Sequence, residues 1–225
     1  MIFAVSLLIS FGTQVWVNAT TNKWKDNELG QGMTGADVAR SLLKARGIED
    51  VSIEEKDGFF TNHYNPDSRV LSLSSDVFSG RSVTAAGLAA HEAGHAIQQL
   101  DEYGPTQLRQ MAVPVIKVIS QIGMVMVVIS AAFGLFPIAK IGAVLFGGAV
   151  LASLFSLPIE LDASTRAREA LFSTGLLKED QIDGTRSVLT AAAVAYVASA
   201  VTGILDLLRW ASKNASFGDD NERPA

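Results

Sequence analysis

Two of the chain's three histidines, His91 and His95, lie four apart in "HEAGHAIQQL", with Glu92 directly after the first. On an α-helix, positions i and i+4 share a face, so both imidazoles can point at one metal ion. Glu92 is placed to act as general base and acid on a water in the open coordination position. Catalytic zinc takes three protein ligands and a water, whose acidity it raises, so the pair needs a third donor. The chain has no cysteine, and its third histidine, His63, lies upstream. A carboxylate must therefore complete the set. Glu160 is the first acidic residue after a long apolar stretch, in "LPIELDASTRAREAL". Pro158 can start a helix there, with Glu160 in its first turn. Asp162 is the rival, two residues along and on a different face, and one of the two can be ligand while the other holds a histidine. Spacing alone leaves an accidental HExxH in an Ala-rich helix as an open alternative.

The elements that must position these residues can be read on either side. "TGADVARSLLKARG" sets Val38, Leu42 and Leu43 at helical spacing, with Gly47 placed to end the helix. "DVSIEE" reads as a short strand and "FFTNHYNPDSRVLSLSS" as a hairpin around an Asn65-Pro66 turn. Ser82 or Thr84 can cap the helix that runs into HEAGH. Gly94, between the histidines, suits a close approach of another helix, although an interior Gly costs roughly 1 kcal/mol in propensity.

Composition points to a membrane protein with one modest polar domain. Of 225 residues, 48% are hydrophobic and 18% charged, and the mean hydropathy is +0.27. A net charge of −5 without a basic cluster excludes a nucleic-acid binder. Residues 1–17 carry no charge, and Trp16, Trp24, Lys23 and Lys25 stand where an interface would be. Residues 118–136 and 141–157 are two further uncharged runs, separated by "PIAK" and expected to form a helical hairpin. Ala143, Gly147 and Gly148 would allow close packing there. A last Ala-rich segment, "SVLTAAAVAYVASAVTGILDLLRW", can span or lie as a core helix. Most of the 18 Lys and Arg lie between the first run and the hairpin or between the hairpin and the last segment. The positive-inside rule then puts the polar domain in the cytoplasm, and an even number of crossings leaves residues 91 and 160 on one side.

The string "LAAHEAGHAIQ", two apolar runs, then "LPIELDASTRA" resembles the YugP-type membrane zinc metallopeptidases of bacteria. "NHYNP", "LSLSSDVFSGRSV" and "TGADVARSLL" fit the same family, so the resemblance covers nearly the whole chain. More distantly the chain is similar to the HtpX/Ste24-like gluzincins, which take a third ligand from a glutamate in an ExxxD motif. The resemblance implies that His91, His95 and Glu160 hold one zinc ion per chain, with Glu92 as the catalytic base. Four residues after Glu160 stands Ser164 rather than Asp, which leaves open what Asp162 and Ser164 do. His63, Tyr64 and Arg166 are the candidates for stabilising the oxyanion of peptide hydrolysis; Arg166 reads equally as a basic anchor beside the membrane. "RVLSLS" is a candidate sheet edge for an extended substrate, or an ordinary strand.

The sequence thus predicts a mainly α integral membrane protein, with about four transmembrane helices and a cytoplasmic gluzincin-like α+β catalytic domain with a small sheet. The parts are a transmembrane anchor (1–21), the zinc-helix part (22–110), a transmembrane hairpin (111–158), the third-ligand helix (159–186), a transmembrane helix (187–210) and a disordered tail (211–225). The expected activity is zinc-dependent endopeptidase action at the cytoplasmic face of the cell membrane. The expected partners are the lipid bilayer and peptide or protein substrates, membrane proteins in quality control among them. The competing reading is an inactive membrane scaffold with a structural metal site, against which Glu92 counts, since structural zinc uses four protein ligands and no base.

Overall fold

The computed structural model describes residues 2–58 and 61–219 and is mainly helical with one small sheet. Its contacts divide the chain into two units. The first comprises Gln14–Gln107 and Pro158–Ala195; the second comprises Met1–Thr13, Leu108–Leu157 and Tyr196–Ala225. Helix α1 (Ile2–Lys25) contributes to both.

In the first unit, α2 (Gly35–Ala45) forms over the segment whose periodicity predicts it. Thr34 Oγ1 accepts the Asp37 N–H at 3.2 Å, and the Asp37 carboxylate accepts the Thr34 N–H at 3.1 Å. This capping box satisfies donors that the first helical turn leaves without partners. Those bonds, with Arg40 nearby, hold the Asp37 carboxyl below its ordinary value. Gly47, at φ +70°, takes the left-handed conformation that ends the helix. Val38 and Leu42 are fully buried, facing the sheet and the metal-site helix.

The sheet contains β1 (Ser52–Glu55), β2 (His63–Asn65) and β3 (Val70–Leu73) in the order β1-β3-β2. The hairpin is as expected: β2 and β3 pair antiparallel, with Tyr64 opposite Leu71. Asn65 Oδ1 accepts the N–H groups of Asp67 and Ser68 at 2.9 and 3.3 Å, which makes the Asn-Pro turn self-supporting. Residues 59 and 60, at the start of the expected hairpin segment, lie outside the described residues. β3 is the central strand, because β1 pairs with it in parallel on its other side. "RVLSLS" is therefore an ordinary interior strand, and the open edges belong to β1 and β2.

A short α3 (Ser75–Phe78) leads to α4 (Val83–Leu100), which carries HEAGH. Ser82 caps it by accepting the Ala85 N–H at 3.2 Å, while the Thr84 hydroxyl bonds Thr21 O at 2.8 Å. The many alanines make α4 thin. At Gly94 a Cβ would stand 2.3 Å from the main-chain oxygen of Ala163, so only glycine permits that approach. The helix brought so close is α6 (Phe136–Thr174), and it carries Glu160.

α6 differs from expectation in being continuous through Pro158 rather than starting there. An interior proline removes one helix hydrogen bond, and the division between the two units falls at this residue. The hairpin between α5 (Gly104–Phe133) and α6 also turns earlier than "PIAK". Gly134, at φ +68°, ends α5, and the Leu135 N–H caps Ser130 O at 3.0 Å. Pro137 then sits in the first turn of α6, where its missing N–H costs nothing. The close approach within this hairpin is made by Gly123 and Gly142, whose added Cβ atoms would stand 2.5 and 2.7 Å from each other's carbonyl oxygens. Gly148 meets its neighbours only at ordinary contact distance.

Four membrane spans are not supported. Among the described residues, one helical segment, Glu179–Asp206, is long and apolar enough to cross a membrane. A second counts only if Gly104–Ala112 and Pro114–Ser130, bent by 40°, form one span. In the second hairpin arm, the described residues form a shorter apolar helix, Pro137–Gly148. The helix that passes lies in α7 (Glu179–Asp219), which also runs through residues 211–219 of the tail expected to be disordered. A helix already formed extends at little cost per residue. Residues 220–225 lie outside the described residues.

Candidate metal centre

His91 and His95 sit on the buried face of α4, one turn apart, and Glu160 faces them from α6. Glu160 Oε2 lies 3.1 Å from His91 Nε2 and 3.3 Å from His95 Nε2. One ligand atom from each of the three residues falls within 4.8 Å of the others. Glu160 is only 2% exposed, so the cluster is a buried cage.

The ring nitrogens facing away from the cage decide what it can hold. His95 Nδ1 lies 2.9 Å from Gln98 Oε1, an oxygen that can only accept, so Nδ1 carries the hydrogen. The Gln98 amide is fixed in this orientation because its Nε2 donates to Ile159 O and Asp162 Oδ2, both at 2.8 Å. His91 Nδ1 lies 3.1 Å from Ser164 Oγ, whose own hydrogen goes to Glu160 O at 3.0 Å. Here too the inferred tautomer places the hydrogen on Nδ1. Both Nε2 atoms then present lone pairs toward the same carboxylate oxygen. Three acceptors converging in a buried space repel one another unless a cation lies among them.

The electrostatics agree. Burial alone would lower the His95 pKa, but Glu160, Glu92 and the Gln98 bond outweigh it and raise it. Burial alone would raise the Glu160 carboxyl, yet the bonds and charge of the two histidines hold it well below the usual carboxylate range. Two imidazoles and one carboxylate, with the tautomer fixed from behind, are a donor set that fits zinc.

Glu92 points off the histidine face toward β2, where its Oε2 accepts the Tyr64 main-chain N–H at 3.1 Å. The Tyr64 hydroxyl hydrogen-bonds Gln99 Oε1, and burial raises its pKa, so it remains a donor. The other two oxyanion candidates have partners of their own. His63 is exposed on β2, its Nδ1 2.7 Å from Thr61 O. Arg166 is tied to Asp162 at 2.5 Å and to Asp101, and lies over the Tyr103 ring. Asp162 acts at one remove, through Gln98. Gln98 itself, fully buried, had no place among the sequence candidates. Its signal was available: a polar residue three after His95, on the same helical face.

Removing the outer partners should weaken the cage without emptying it. Ser164→Ala and Gln98→Leu are each expected to lower zinc affinity by about 10–100-fold, measured by competition with a chelating indicator.

A family model described as "Putative neutral zinc metallopeptidase" matches residues 1–214. The chain is 36% identical over 216 residues to the "Putative membrane protease YugP" of Bacillus subtilis (strain 168), covering 96% of each chain. No solved structure matches the chain significantly.

Proposed function

The chain belongs to this family of neutral zinc metallopeptidases, and from that premise we propose that it is a membrane-associated endopeptidase in which His91, His95 and Glu160 hold zinc. The observation that carries the reading is the convergence of three lone-pair donors on one buried point, with Glu92 next to it and not part of it. Bound zinc would supply Lewis acidity, polarising a peptide carbonyl and making a water acidic near neutral pH. Glu92 takes the proton of the attacking water and delivers it to the leaving amine. Ser164 and Gln98 keep both imidazoles in the metal-binding tautomer, and the bonds around Asp162 and Arg166 hold Gln98 in place.

The membrane association rests on separate grounds. Phe11, Met111, Phe133 and Val144 of the second unit are each more than 70% exposed, an arrangement that suits lipid rather than water. The segment Glu179–Asp206 is apolar enough to span, and the relative is named a membrane protease. A multi-pass chain with its site at the cytoplasmic face, acting on membrane proteins in quality control, is the cellular form of the proposal.

Metal removal tests the reading. The detergent-purified chain should cleave a quenched fluorescent peptide internally, lose that activity with a zinc chelator, and regain it when zinc is returned. Cleavage indifferent to the chelator, or a zinc-loaded chain that cleaves nothing, would count for the scaffold instead.

A further inference from the structure

We propose that the main-chain N–H of Tyr64 is a positioning group for Glu92, and that the Tyr64–Gln99 contact locks it to the helix that carries the base. The inference rests on the peptidase reading and adds to it how the carboxylate is aimed. Successive helix residues are rotated by about 100°, so Glu92, directly after His91, cannot share the histidine face. It projects toward β2, and a glutamate side chain with three rotatable bonds has no reason of its own to hold one direction there.

The sheet supplies the reason. β2 is an edge strand, and Tyr64 stands opposite Leu71 on β3. Backbone groups alternate along an antiparallel strand between the ladder and the outside. Since the Tyr64 N–H goes to Glu92, it lies on the outward side, where an edge strand otherwise leaves donors open. Binding Oε2 there leaves Oε1 for a water beside the cage. The donor is itself fixed. The Tyr64 hydroxyl bonds Gln99 Oε1, and Gln99 Nε2 donates to Pro66 O at 3.3 Å. Gln99 lies two turns along α4 from Glu92, so one helix carries both the base and the bolt that sets its partner strand.

The test deletes one hydrogen. Incorporating the α-hydroxy acid analogue of tyrosine at position 64 turns that amide into an ester, removing the N–H and keeping the side chain. In the zinc-loaded full-length chain, kcat should fall about tenfold, the order expected for one hydrogen bond to a charged group, with KM and zinc affinity unchanged. Tyr64→Phe keeps the N–H and should lower kcat less. An unchanged kcat in the ester would overturn the proposal. So would a parallel loss of zinc affinity, which marks a structural role, or a Tyr64→Phe loss as large as the ester's. A wild-type chain that binds zinc but shows no Glu92-dependent cleavage would remove the peptidase reading and this inference together.

Discussion

Glu160→Ala is expected to reduce the zinc content of the purified chain from about one per chain to background, read by elemental analysis after metal-replete purification. Glu160 is the only carboxylate of the cage, and without it two neutral imidazoles on one helix are left to hold a divalent ion. The loss should exceed the roughly 10–100-fold that removing an outer partner causes. Asp162→Ala is the informative comparison. Its carboxylate reaches the cage only through Gln98 Nε2, so its loss should weaken zinc and not abolish it. Zinc that survives Glu160→Ala but disappears with Asp162→Ala would exchange the two roles and sink the proposed ligand set.

The parts of this site that were legible in the sequence are those that side-chain identity and helical spacing carry. His91, Glu92 and His95 declare themselves by a four-residue interval, and Glu160 by its place after an apolar stretch. Gly94 was legible as a point of close approach, and the distance from its missing Cβ to Ala163 O gives the reason. What was not legible depends on partners remote in the chain. The Tyr64 N–H has no letter of its own, since every residue except proline has one. β3 became central because β1 pairs with it in parallel, and nothing local in "RVLSLS" records that pairing. Pro158 reads as a start signal because proline suits a first turn, yet α6 runs on through it as an interior residue. Four spans are not supported: among the described residues one helical segment, Glu179–Asp206, has the apolar length to cross a membrane.

Ser164 illustrates how a departure from a motif finds its physical meaning. In place of a carboxylate four residues after Glu160, the chain sets a hydroxyl 3.1 Å from His91 Nδ1. The hydroxyl orients the ring as a carboxylate would, since its own hydrogen is taken by Glu160 O. It adds no negative charge behind His91. The nearest carboxylate in the outer network, Asp162, is instead on the His95 side, separated from that imidazole by the neutral Gln98 amide. Both histidines are therefore aimed by neutral groups, which favours a cage whose negative charge is concentrated on Glu160.

Glu92→Gln should retain zinc and lose catalysis, with kcat lower by about 10²–10⁴-fold, the range that a positioned acid–base group contributes. The amide is nearly the same size as the carboxylate, and its oxygen can still accept the Tyr64 N–H, so α4 and β2 should keep their contact. What it lacks is the capacity to take a proton from water and return it to an amine. Glu92 is not one of the three residues of the metal-binding set, so elemental analysis should give the wild-type zinc content. That separation of binding from turnover distinguishes a catalytic centre from a structural one. In a structural site Glu92 has no proton to move, and its replacement by Gln would leave every measured property where it was. Zinc lost together with activity would make Glu92 a ligand, and the four-donor set so formed would leave no open position for the reaction.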